Sequence, residues 1–156
     1  MPLAGRDPHV RDLTAWETDP VTVGYGDDVA GRGPLGNRIA RVISRALRDA
    51  KDGDLSRAEI VQRMSASLGR SISAAQLDKW ASEAAEEHRI PLDAFVALIE
   101  ASGRHELLGF IPAGFGYAVV PARYVDMIEL VQLEEHEREL KARKSVLEAK
   151  LRGARR

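Results

Sequence analysis

The sequence predicts an all-α protein, a compact helical body carrying a long C-terminal helix, with a short hairpin or extended loop between them. Three observations carry that expectation. Hydrophobic residues make up 44% of the 156 residues but aromatics only 5%. The core must therefore rest on Leu, Ile, Val, Ala and Met, and an alanine-rich aliphatic core suits packed helices better than a sheet. Apolar residues recur at three- and four-residue spacing in segment after segment. Serines stand where those segments begin and glycines where they end.

Residues 1–35 read as a flexible or docked N-terminal arm, in which glycines and prolines break any period. Trp16, in "DLTAWETDPV", is the exception, able to dock a short apolar segment onto the body or a partner. The body spans residues 36–110. Its first helix runs from about Asn37 to Lys51, with Ile39, Val42, Ile43, Ala46, Leu47 and Ala50 on one face. Arg38, Arg41, Arg45 and Arg48 form a basic stripe on the other, and Gly53 is the expected left-handed stop. A second helix opens on a capping box, Ser56 with Glu59, buries Ile60, Val61, Met64 and Leu68, and stops at Gly69. A third occupies residues 73–85, with Ser73 and Gln76 in the capping positions and Leu77, Trp80, Ala81 and Ala84 inward. Pro91 opens a fourth helix with Phe95, Leu98 and Ile99 as its core face, closed by Gly103. "HELLG" is a short turn, and "FIPAGFGYAVVP" supplies the loop or hairpin over residues 111–120.

Residues 121–156 form the charged C-terminal helix. Tyr124, Val125, Met127, Ile128 and Val131 make a broad apolar start. Leu133, Leu140 and Leu147 then repeat every seventh residue, with His136, Arg143 and Lys150 between them, the mark of a weak zipper. Two outcomes fit: a homodimer through this helix, or a helix packed on its own body for two turns and solvated thereafter.

Charge is distributed unevenly around a net −1, so no bulk polyanion binder is expected. Residues 36–70 hold 8 basic and 4 acidic side chains, whereas residues 71–120 hold 3 basic and 7 acidic. Only a local patch can meet a phosphate backbone. The stretch "SRAEIVQRMSASLGRSISAAQLDKWASEA" contains the second and third helices and the turn "GRSIS", longer than the tightest helix-turn-helix connection. A helix that reads the major groove needs small or polar residues at its exposed N-terminal end. Ser71, Ser73, Ala74, Ala75, Gln76 and Lys79 supply that surface, with Gln76 suited to adenine and Lys79 to guanine or phosphate. Arg57, Arg63 and Arg70 add positive charge beside it, whereas Asp78 and Glu83 lie on the same helix. Two capped amphipathic helices packed together are also common scaffold in any helical domain.

That stretch followed by "HRIPLDAFVALIEASG" resembles lambda-repressor-like helix-turn-helix regulators, over roughly Leu55 to Leu108. The segments "LDKWASEAAEEHRIPLDAF", "LLGFIPAGFGYAVVPARYV" and "LEEHERE" are similar to small proteins of Mu-like transposable prophages. The resemblance implies a bacteriophage regulatory setting and double-stranded DNA as partner, with two half-sites about one helical turn apart for a dimer.

No catalytic constellation is expected. Cysteine is absent, and His9, His88, His105 and His136 are scattered without the four-residue spacing of a helical metal pair. The glycines of "GYGDDVAGRG" and "GFIPAGFG" match neither a phosphate loop nor a dinucleotide fingerprint. The expectation is a non-enzymatic cytoplasmic protein without cofactor, metal or membrane span: a sequence-specific DNA-binding regulator. The alternative is a protein-interaction module, an adaptor or antirepressor-like partner of a phage or host protein.

Overall fold

The structure is a computed structural model and describes residues 20–154. Trp16 lies outside the described residues. The elements are α1 (Asp27–Ala30), α2 (Leu35–Asp52), α3 (Arg57–Leu68), α4 (Ala74–Trp80), α5 (Leu92–Ser102), α6 (Phe110–Ala113) and α7 (Val125–Ala154), with 3-10 turns at His105–Gly109 and Ala122–Tyr124. The all-α expectation holds: among the described residues, β structure is confined to one antiparallel bridge, Val23 with Val119.

One core unites the body. Val42, Ile43, Ala46 and Leu47 of α2 meet Ile60 and Met64 of α3, Leu77 and Trp80 of α4, and Phe95, Leu98 and Ile99 of α5. The α2 face is the one its spacing predicts. Its stop differs: Gly53 has φ −92°, and the left-handed residue is Asp54 at φ 62°. The Gly53 amide already donates to the Asp49 and Ala50 carbonyls, so the chain reverses one residue later. Gly69 and Gly103 do adopt the left-handed stop, at φ 64° and 65°. α3 opens on the full capping box. The Ser56 hydroxyl accepts from the Glu59 amide at 3.2 Å, and the Glu59 carboxylate accepts from the Ser56 amide at 2.9 Å.

Two regions refine the sequence reading. The third helix ends at Trp80 instead of residue 85, so Ala84 is exposed. Acidic Glu83, Glu86 and Glu87 oppose the negative end of the helix dipole, and Glu83 is drawn to Arg41 of α2 at 2.8 Å. In "FIPAGFGYAVVP" the loop alternative holds rather than the hairpin. Phe110–Ala113 is a helical turn, and Val119 takes as its partner Val23 of the arm, whose amide donates to the Val119 carbonyl at 2.8 Å. Glycine makes that approach possible: a methyl at Gly109 would collide with the Val23 carbonyl and the Gly24 Cα. The described part of the arm is thus docked. Tyr25 completes the docking, donating its hydroxyl to Asp49 at 2.9 Å and its amide to the Glu106 carbonyl at 3.2 Å.

α7 runs for 30 residues and buries none of its side chains. Val125, Met127, Ile128 and Val131 are all exposed, so its first turns do not pack on the body.

Candidate nucleic-acid interface

α3, the turn Gly69–Ser73 and α4 form a rigid corner. Ile72, inside the turn, is buried, and its amide donates to the Ser65 hydroxyl of α3 at 2.9 Å. Ser73 caps α4 by accepting from the Gln76 amide at 3.1 Å. Leu77 and Trp80 anchor the back of α4 in the core. The opposite side carries Ser71, Ser73, Ala74, Ala75 and Lys79, all exposed, with Gln76 half-buried. The surface expected from the sequence is therefore presented together, on one side of a helix seven residues long.

The arginines are less free than their positions suggest. Arg57 pairs with Asp78, linking α3 to α4. Arg63 donates to the Ala101 carbonyl of α5 at 3.3 Å, and Arg70 pairs with Asp93 at 2.9 Å. On α2, Arg41 forks onto both carboxylate oxygens of Glu83 at 2.8 and 3.1 Å and also donates to the Ala30 and Arg32 carbonyls. Arg45 pairs with Asp49 at 2.8 Å, and Arg38 lies half-buried over the Phe110 ring, 5.4 Å from its centroid. The basic stripe of α2 thus serves mainly to hold α1, the α4–α5 connection and the Phe110 turn in place.

The same pairs remove the acidic objection to α4. The one carboxylate of α4, Asp78, and Glu83 in the connection after it each face an arginine. The hydrogen bond from Arg41 holds the Glu83 carboxyl below its ordinary range, and that from Arg70, with the Ala94 amide, does the same for Asp93. From Ser56 to Trp80 the unit carries four basic and two acidic residues. Sequence reasoning missed these pairings because they join residues distant along the chain, and charge counting alone could not assign them.

Among the described residues no group of three or more His, Asp or Glu side chains is placed to hold a metal. No described helix is long and apolar enough to cross a membrane. No known protein family matches the chain, and neither a curated protein nor a solved structure matches it.

Proposed function

We propose that the chain is a sequence-specific DNA-binding regulator of phage or prophage origin, working in the cytoplasm and reading DNA with α4. The supporting observation is the two-sided character of α4. Its back is fixed in the core by Leu77 and Trp80, its front is small and polar, and its acid Asp78 is matched by Arg57. Gln76 and Lys79 meet base edges, while Ser71, Ser73 and Ala75 let the backbone come close. Arg57, Arg63 and Arg70 act in two ways at once. A guanidinium has five N–H donors, and an ion pair or a carbonyl contact uses one or two, leaving others for phosphate. Regulation is by occupancy, and α7 joins two copies of the chain through the side bearing Leu133, Leu140 and Leu147.

The test is selection of bound fragments from a genomic library, followed by anisotropy titration at two salt concentrations. Enrichment of one site, with a salt slope of roughly 2–4 phosphate neutralisations per copy, is expected. No enrichment and only low-salt binding would sink the reading.

One observation favours a second reading, in which the body docks a phage or host protein. Ile39, Ile90, Leu92, Phe95, Phe110 and Ile111 line an apolar groove, and Leu92 at its rim is 72% exposed. Leu92→Asp would then abolish partner binding while leaving the corner of α3 and α4 intact.

A further inference from the structure

The face of α7 is not uniform, and its irregularities specify an orientation. Taking Leu133, Leu140 and Leu147 as d positions of a heptad puts Leu130, Glu137, Lys144 and Leu151 at the a positions. The five leucines form one stripe, each 52–65% exposed. Glu137 and Lys144 interrupt it, and each is held only by a loose pair on its own helix, with Lys141 at 3.6 Å and Glu148 at 3.9 Å.

We propose that α7 pairs with α7 of a second copy in antiparallel orientation. In a parallel pair each a residue faces its own copy. Glu137 would then meet Glu137 and Lys144 would meet Lys144, two like-charge layers inside the seam. An antiparallel pair instead sets a against d. With Leu133 facing Leu151 of the second copy, Glu137 faces Leu147 and Lys144 faces Leu140. Glu137 then stands about 4.5 Å along the axis from the second copy's Lys144, within ion-pair reach across the seam. Reversal therefore replaces two repulsive layers with two attractive cross-pairs and keeps the leucines in contact.

The geometry sets where the two bodies attach to the rod. In this register the two α7 starts at Val125 lie about 50 Å apart, on opposite ends of the rod. Half-sites one helical turn apart are separated by only about 34–36 Å. The two bodies are therefore attached at points farther apart than that spacing. The inference rests on α7 as the joining element of the proposed regulator, but not on DNA being the ligand.

The absence of cysteine makes the test direct. Leu133→Cys and Leu151→Cys chains are oxidised separately and as a mixture, without DNA, and resolved on a denaturing gel. The expected result is a cross-link in the mixture and none in either variant alone. A cross-link within each variant alone means a parallel pair and overturns the proposal. A monomeric mass for the unsubstituted chain in sedimentation overturns it as well. Charge exchange provides an independent check. Glu137→Lys should weaken the pair about tenfold, and adding Lys144→Glu should restore it. No restoration in the double variant counts against the antiparallel seam. Failure of DNA selection leaves all these readouts unchanged, so the two readings stand or fall separately.

Discussion

Gly109 shows how much can depend on a missing side chain. Its backbone is ordinary, yet the space where a Cβ would sit is taken by Val23 and Gly24. Gly109→Ala must push the arm away from the 3-10 turn, at a cost of about 1–3 kcal/mol in urea unfolding. A loss below about 0.5 kcal/mol would mean that the arm shifts freely. Ser56 offers a contrast, because its role is written in local spacing. Ser56→Ala removes both hydroxyl bonds to Glu59, one accepted from its amide and one donated to its carboxylate, and should cost about 1 kcal/mol by the same measurement. The Ser56–Glu59 pair, the left-handed Gly69 and Gly103, and the inward face of Ile43 and Leu47 were all legible in the sequence, since each depends on neighbours within one or two turns. Gly53 was misread because composition suggests a left-handed residue but does not fix which of two adjacent residues adopts it. Asp54 does, at φ 62°.

At the scale of elements, the corner of α3 and α4 was legible in its parts but not in its wiring. Apolar spacing located both helices and the exposed side of α4. The end at Trp80 was not readable, because it is set by Glu83 leaving the helix for Arg41, a partner on α2. The Arg57–Asp78 link yields a double-mutant prediction. On the proposed reading, Arg57→Ala leaves an acid uncompensated on the helix that meets DNA, so DNA affinity should fall by more than one lost phosphate contact. Adding Asp78→Ala should recover part of that loss, and the anisotropy assay reads both. Equal affinities for the single and double variants would show that Asp78 does not face the duplex. Gln76→Ala combined with Lys79→Ala should preserve the fold, because neither side chain anchors the core, while abolishing discrimination between sites.

Across the whole molecule, acid and α7 act on different parts of the protein. Burial pulls the Asp49 carboxyl upward, but the bonds from Arg45 and Tyr25 hold it below its ordinary range. Glu59, bonded by the backbone and hydroxyl of Ser56, lies low as well, as do Glu83 and Asp93. For carboxyls depressed by folding, the unfolded chain binds protons first as pH falls. Their stabilisation is therefore complete at neutral pH and is lost as pH drops through about 4 and below. Tyr25 behaves in the opposite sense. Burial and then the Asp49 bond raise its hydroxyl, so its contribution is lost as pH climbs above about 10. A thermal midpoint flat near neutrality and falling on both flanks is the expected profile. Truncation after Val120 should leave that midpoint nearly unchanged, because α7 buries nothing in the body, while reducing the mass in solution to that of a single chain.

The bridge between Val23 and Val119 has a mechanical consequence. Force applied along α7 travels through the Ala122–Tyr124 turn and reaches that bridge before it reaches any helix of the core. The bridge is a single antiparallel contact, so in an optical trap it acts as a fuse, opening first at low tension. The segment before α7 then peels away from the arm, which Tyr25 still holds to Asp49 and Glu106, while α2, α3 and α5 stay folded and rupture in a separate, larger step.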